Sequence, residues 1–299
     1  MKAKAVHAAP ILLIAVFLIS FASTLIPPEL LGENVDPYII TSLLQIFVLA
    51  LPAVIFCRLR GGDYMKKLRL RLPGVGHIGF MIYALLFMFF GSCGINYLMF
   101  TLFPESGAAV NYQVSGGFAG GLYLVLTMAV IPALTEEFLF RSVIVAEYES
   151  YGVPAAVVLS SLSFAMLHFS FARLPVYLFC GFMLALVLYT TKSVIAAIIV
   201  HMLNNTATLF FGNMIYKVVT YQGVVIFCFM LVGLIILSAI LTFAECEKIY
   251  GDYSRRNLDS SYTGPRKKGD GAAGIFYSIF NPLFMILVII YIIIAAVKL

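Results

Sequence analysis

The chain has 299 residues, of which 62% are hydrophobic and 11% are charged, and its mean hydropathy is +1.03. Soluble domains carry about a quarter charged residues because their surfaces face water. A globule of this length cannot bury so much apolar surface. The composition therefore excludes a soluble globular protein and indicates a polytopic integral membrane protein.

The apolar segments predict an all-α transmembrane helix bundle. A spanning helix needs roughly 20 mostly apolar residues. By that measure about nine spans are predicted, an eight-helix body and a C-terminal helix, at 9–27, 38–57, 78–103, 119–147, 153–170, 174–191, 194–212, 222–244 and 275–297. The short loop at 170–173 and Pro175 leave open a re-entrant pair for the fifth and sixth segments.

The net charge of +5 is concentrated in two basic stretches that separate apolar runs. Six basic residues lie within 58–71 and six within 248–268, whereas the 26–37 loop has three acidic residues and no basic one. Basic loops favour the cytoplasmic side of a membrane. The pattern predicts a multi-pass protein of the plasma membrane with a cytoplasmic N-terminus. The sequence has no nucleic-acid-binding module, so no nucleic-acid partner is expected.

The first apolar segment follows Lys2 and Lys4 and has two interpretations, a cleaved signal peptide or a retained helix. Its apolar run of about 17 residues is long for the hydrophobic part of a signal peptide, which favours a retained helix.

The chain divides into three parts. Residues 1–117 contain N-terminal transmembrane helices and the cytoplasmic basic loop, and residues 118–212 contain the helices that carry the candidate site. Residues 213–299 contain C-terminal helices and a polar cytoplasmic loop at 245–274. We find no internal repeat of the kind that transporters carry.

Four ionisable residues lie within apolar runs, namely the adjacent Glu136 and Glu137, and His168 and His201. A charged group at bilayer depth costs several kcal/mol, so such residues indicate a functional site. Measured along each helix from its cytoplasmic end, Glu136 lies roughly 18 Å deep, His168 roughly 24 Å and His201 roughly 12 Å. We therefore expect three helices to bring these groups together.

Helical spacing assigns partners to these residues. Glu137 and Arg141 are four residues apart and can form an ion pair on one helix face. Glu136 is rotated by about 100° from Glu137 and has no cation on its own helix. His201 and Asn205 are also four residues apart, as are Phe164 and His168.

This set of side chains suits peptide hydrolysis by an activated water molecule. Glu136 would remove a proton from the water, and His168 would orient the water or share the proton. His201 and Asn205 would donate hydrogen bonds to the oxyanion. Taken singly, the Glu137–Arg141 pair, His201, Asn205 and Phe164 each have a structural interpretation, as helix contacts or packing. The occurrence of all these residues together favours a functional site over separate structural roles.

The three spacings, E-E-x-x-x-R, F-x-x-x-H and H-x-x-x-N, occur in this order on separate apolar segments. They resemble the signature of the type II CAAX prenyl endopeptidases and the related bacterial bacteriocin-processing and immunity proteins. The resemblance covers roughly residues 118–212. Ser142 stands where the family often has glycine after the arginine.

The resemblance implies an intramembrane glutamate-type endopeptidase with an all-helical core and no metal. Its substrate would be a membrane-anchored peptide or protein, with a prenylated CAAX tail or a leader peptide. By this likeness Glu136 and His168 activate water, His201 and Asn205 form the oxyanion site, and Glu137, Arg141 and Phe164 support them.

Three alternatives stay open. Two histidines and a glutamate are adequate zinc ligands, although the sequence has no H-E-x-x-H motif. A non-catalytic immunity or partner-binding protein could use the same scaffold, and Glu136 and His168 could instead serve a transporter as a proton relay. The oligomeric state is also left open.

Overall fold

The computed structural model describes residues 5–25, 36–103, 117–256 and 270–297, and these form helices joined by short turns. No strand occurs within these ranges, so the prediction of an all-α bundle is confirmed. The helices are α1 (Ala5–Thr24), α2 (Pro37–Gln45), α3 (Leu51–Arg60), α4 (Ile78–Leu102), α5 (Gly117–Val125), α6 (Ile131–Glu137), α7 (Val145–Tyr148), α8 (Val153–Met166), α9 (Leu174–Thr191), α10 (Val194–Gln222), α11 (Val224–Arg255), α12 (Asp270–Ile279) and α13 (Pro282–Val297).

Some sequence predictions concern residues outside these ranges. Lys2 and Lys4, the acidic residues Glu29 and Glu33 of the first loop, and the 257–269 part of the polar loop lie outside the described residues.

Three π-helical turns join consecutive helices into longer segments. Ile46–Ala50 connects α2 to α3, Leu126–Val130 connects α5 to α6, and Phe138–Ile144 connects α6 to α7. Pro52 and Pro132 each occupy the second position of the helix that follows a π turn. Proline has no backbone N–H and cannot continue the regular hydrogen-bond ladder, so a wider turn precedes it.

Seven helical segments are long and apolar enough to span a membrane, and the α12–α13 pair gives an eighth if it counts as one span. Several predicted spans differ from the structure. α10 and α11 extend to Gln222 and Arg255, past the predicted ends at 212 and 244, so the first part of the predicted 245–274 loop is helical. The fifth is shorter than predicted, because α8 has 14 residues and ends at Met166 instead of residue 170. The last, predicted as one helix over 275–297, is broken before Pro282, where α12 and α13 meet at 61°. Proline disfavours helical backbone in the residue before it, here Asn281.

The core of the bundle is built around α4, α9 and α10. α4 packs against α9, α10 and α11, while α9 also packs against α8, and α1 packs against α13. Helices in a membrane approach closely where small residues meet. Gly181 of α9 lies against Ser161 of α8, where a Cβ atom on residue 181 would be 2.9 Å from the Ser161 Cα.

Ion pairs tie the helices together at one end of the bundle, which we call the basic end. It comprises the 61–74 loop, the α9–α10 turn and the end of α11. Arg60 pairs with Glu147, and Arg69 pairs with Glu149. The Tyr189 hydroxyl also donates to Glu149, at 2.8 Å. These contacts join the loop after α3 to the end of the α5–α7 segment.

We predict that Gly181→Ala lowers the midpoint of thermal unfolding of the purified protein in detergent by several degrees, because the added Cβ forces α8 and α9 apart. Gly233→Ala in α11 is the matched control, since no atom lies within 4 Å of the Cβ it would add. Alanine favours a helix over glycine by about 1 kcal/mol, so the control should be neutral or slightly stabilising. Equal midpoints for the two variants would contradict close α8–α9 packing.

Candidate active site

The sequence-predicted site residues come from three parts of the chain. Glu136 and Glu137 end α6, and Arg141 lies in the π turn that follows. Phe164 lies in α8, and His168 lies in the turn after that helix rather than within it. His201 and Asn205 lie in α10.

Arg141 is completely buried and contacts three parts of the bundle. Its Nε lies 3.1 Å from Glu137 Oε2, in an ion pair rather than an aligned hydrogen bond. Its Nη2 donates to the Gly181 carbonyl of α9 at 3.2 Å. The guanidinium carbon lies 4.4 Å from the centroid of the Phe164 ring, within range of a cation–π interaction. The predicted Glu137–Arg141 pair is therefore present, and it has further partners that the spacing did not indicate.

Glu137 also binds His201, a contact that the sequence analysis did not predict. The two atoms Glu137 Oε1 and His201 Nδ1 are 2.9 Å apart. A carboxylate paired with an arginine accepts hydrogen bonds, so His201 Nδ1 carries the proton and donates it to Glu137. A neutral His201 then has an unprotonated Nε2. Glu137 thus fixes both the rotation and the tautomer of the imidazole.

Glu136 lies near the other nitrogen of the same imidazole. Its Oε2 is 3.9 Å from His201 Nε2, and the residue is 6% exposed. This distance is too long for a direct hydrogen bond and short enough for one water molecule to bind both atoms. Two adjacent carboxylates therefore lie beside the two nitrogens of His201.

His168 is held by its own turn and by an aromatic stack. Its Nδ1 donates to the Phe164 carbonyl at 3.0 Å, because a carbonyl only accepts. The ring stacks on Tyr177, with centroids 3.6 Å apart and planes 15° apart. Phe164 meets both histidine rings edge-on, at 5.2 Å for His168 and 5.8 Å for His201. Sequence reasoning missed Tyr177, since an aromatic residue in an apolar helix gives no signal beyond packing.

Asn205 follows His201 by one turn of α10 and is half-buried. Within the described residues, its amide forms no hydrogen bond, and no hydrogen bond or ion pair joins Glu136 to His168. The neighbouring Asn204 is buried and its Oδ1 has no hydrogen-bond partner in the described part of the chain. In the same part, no three His, Cys, Asp or Glu side chains are grouped closely enough to hold a metal ion.

Residues 118–207 match the family described as Type II CAAX prenyl endopeptidase Rce1-like. The matched region contains all seven residues of the three motifs, and the match confirms the resemblance that these motifs carry. Comparison with curated proteins and with solved structures gave no match.

We predict that Arg141→Gln destabilises the protein by about 3–5 kcal/mol, because it leaves the Glu137 carboxylate buried without its cation. The change is measured as the free energy of unfolding in mixed detergent micelles. Arg58→Gln removes an exposed arginine from α3 and should change the stability by less than about 0.5 kcal/mol.

The double variant Glu137→Leu/Arg141→Met should be more stable than Arg141→Gln and regain part of the lost free energy of unfolding. Replacing both members of a buried ion pair with apolar groups is often neutral for stability. An Arg141→Gln protein as stable as Arg58→Gln would contradict the assigned role of the pair.

Proposed function

We propose that this protein is an intramembrane endopeptidase that hydrolyses a membrane-anchored peptide with a water molecule activated by Glu136. The observation that carries the proposal is the buried Glu136 carboxylate, 3.9 Å from an imidazole nitrogen whose ring is oriented by a second carboxylate. The family match over 118–207 supports a protease of the CAAX type.

The proposed reaction begins with a water molecule bound between Glu136 Oε2 and His201 Nε2. Glu136 takes one proton as the water oxygen attacks the scissile carbonyl carbon, and the carbonyl oxygen becomes an oxyanion. The proton then passes to the departing amide nitrogen as the C–N bond breaks. His168, fixed by Tyr177 and the Phe164 carbonyl, orients the water or shares its proton.

The tautomer of His201 sets a condition on oxyanion stabilisation. Its Nδ1 proton is directed to Glu137, so His201 can donate to an oxyanion only from Nε2, and only when both nitrogens carry protons. Asn205, one turn along the same helix, would supply the second donor.

We further propose that the basic end of the bundle faces the cytoplasm, which places the N-terminus on that side. This orientation puts Arg60, Arg69 and Lys192 on the side that positive residues favour. We propose the plasma membrane as its location. With this orientation the expected substrate is a cytoplasmic peptide, either a prenylated C-terminal tail or a leader peptide.

We predict that Glu136→Gln lowers cleavage by about 10²–10⁴-fold, because glutamine cannot take the proton from water. Purified protein in lipid nanodiscs is incubated with membrane-anchored peptides, prenylated C-terminal tails and leader peptides, with and without a chelator. Glu245→Gln is the control, since it removes an acid on α11 whose partner is the exposed Lys248.

Cleavage that survives the chelator and is lost only in Glu136→Gln supports the metal-free mechanism. Cleavage that the chelator abolishes would replace it with a zinc enzyme. If wild-type protein cleaves no peptide of the panel, the protease assignment gives way to a non-catalytic immunity or partner-binding protein.

We predict that Tyr177→Leu lowers kcat by about ten- to hundredfold with little change in KM, because His168 loses the ring that fixes its plane. Tyr177→Phe keeps the aromatic stack and should retain most of the activity. Steady-state kinetics on a peptide that the wild type cleaves gives both constants. An equal loss in the two variants would show that the stack does not position His168.

A further inference from the structure

The buried side of α10 carries a second asparagine, Asn204, which the proposed mechanism does not use. The residue is 6% exposed, and its Oδ1 is buried without a hydrogen-bond partner among the described residues. The preceding residue, Leu203, is 41% exposed and lies on the outer side of the helix. Asn204 is therefore turned into the protein, where its side-chain oxygen is withdrawn from solvent and unpaired within the described part of the chain.

Asn204 lies on the same side of α10 as His201. Three residues advance about 4.5 Å along a helix axis and about 300° around it, so the two side chains are about 60° apart. Side chains at this spacing are neighbours on the helix surface. Asn205 lies about 40° from His201 in the other direction. One turn beyond His201, the helix therefore presents two carboxamides toward the candidate site.

Local stability does not explain an asparagine at this position. A buried polar atom without a partner destabilises the folded state, and most buried polar atoms in proteins have one. The hydroxyls of Thr206 and Thr208 in the same helix meet this need, since they donate to the Met202 and Asn204 carbonyls at 2.8 Å. Asparagine is also a weaker helix former than leucine. A residue that breaks these local rules without compensation is expected at a functional site.

The proposed substrate brings polar groups that need partners at this depth. The hydrocarbon of a bilayer cannot hydrogen-bond the N–H and C=O groups of a peptide. In the proposed reaction Glu136 takes a proton from water, while His201 and Asn205 donate to the oxyanion. These roles provide no acceptor for the N–H groups of the substrate main chain. The unpaired oxygen of Asn204 is an acceptor one helical turn from His201.

We propose that Asn204 binds the main chain of the peptide substrate, with its Oδ1 accepting a hydrogen bond from a peptide N–H next to the scissile bond. A carboxamide has an acceptor oxygen and an N–H donor in one plane, as a peptide group does, so it can pair with a main chain. The inference rests on the proposed protease function and adds a substrate-binding residue to it. A contact with the main chain does not depend on the side chains of the substrate.

The first test compares stability with kinetics in the full-length protein. Asn204→Leu keeps a branched side chain without its polar atoms, and Asn204→Ala removes the side chain beyond Cβ. Because the wild type buries an unpaired oxygen, at least one variant should unfold at the same temperature as wild type or a few degrees higher. That variant should raise KM for a cleaved peptide about tenfold with kcat nearly unchanged, since the lost hydrogen bond forms equally in the ground state and the transition state.

Thr206→Val is the matched control. Thr206 lies about 160° around α10 from Asn204, and its hydroxyl donates to the Met202 carbonyl of its own helix. The substitution also removes a polar group from α10, and both kinetic constants should stay at their wild-type values.

The second test identifies the hydrogen bond itself with a series of substrates. Peptides in which an ester replaces one amide next to the scissile bond lack that single N–H, while the scissile amide is kept. For wild type, one ester peptide of the series should have a KM about tenfold higher than the all-amide peptide. Asn204→Ala should not distinguish the two peptides, because the partner of the N–H is already absent.

Three results would overturn this inference and leave the protease function standing. Lower unfolding temperatures in both variants, with wild-type kinetic constants, would make Asn204 a structural residue. A fall in kcat at unchanged KM would make it a donor to the oxyanion. Equal ester effects in wild type and Asn204→Ala would place the acceptor elsewhere. If the wild type cleaves no peptide, the protease function itself fails, and this inference fails with it.

Discussion

The arrangement of the candidate site depends on one buried cation, Arg141. A guanidinium group withdrawn from water is stable only if charges and hydrogen-bond acceptors surround it. Here these are supplied by Glu137 at the end of α6, the Gly181 carbonyl of α9 and the ring face of Phe164 in α8. Three helices must keep their mutual distances for Arg141 to stay paired. Glycine at position 181 is part of the same constraint, because any side chain there would push α9 away from α8.

The position of His201 follows from this arrangement. Glu137 has two oxygens, of which one pairs with Arg141 and the other accepts from His201 Nδ1. The adjacent Glu136 is rotated around the helix and comes to lie beside Nε2 of the same ring. The two neighbouring glutamates therefore have different tasks. Glu137 is paired with the Arg141 cation and the His201 N–H, while among the described residues Glu136 lies beside the imidazole edge and is the carboxylate that the proposed reaction uses.

The sequence was sufficient to predict contacts within one helix and insufficient for contacts between helices. Glu137 and Arg141 were paired because four residues make about one turn, whatever the tertiary structure. The Glu137–His201 bond and the Tyr177–His168 stack depend on the rotation of separate helices about their axes, which no local pattern fixes. The family match over 118–207 indicates which family this region resembles, but it does not predict these contacts between helices.

The end of α8 shows a different limit of sequence reasoning. Residues 167–170 continue an apolar run, which predicted a longer span. Phe169 packs on protein, since its ring centroid lies 5.4 Å from that of Phe17 in α1. The Ser170 carbonyl is also held by protein, because it accepts from the Tyr291 hydroxyl of α13. An apolar run thus marks burial, in lipid or in protein alike. The break at Pro282, by contrast, has a local cause and could have been predicted.

The basic end and the candidate site are joined through α10. This helix begins at Val194, whose N–H bonds to the basic loop, and the Ser193 side chain caps it by accepting from Ala196 N–H at 3.1 Å. His201 lies two turns further along the same continuous helix. The contacts that hold the first turn of α10 therefore also set the depth of His201 relative to Glu136 and Glu137.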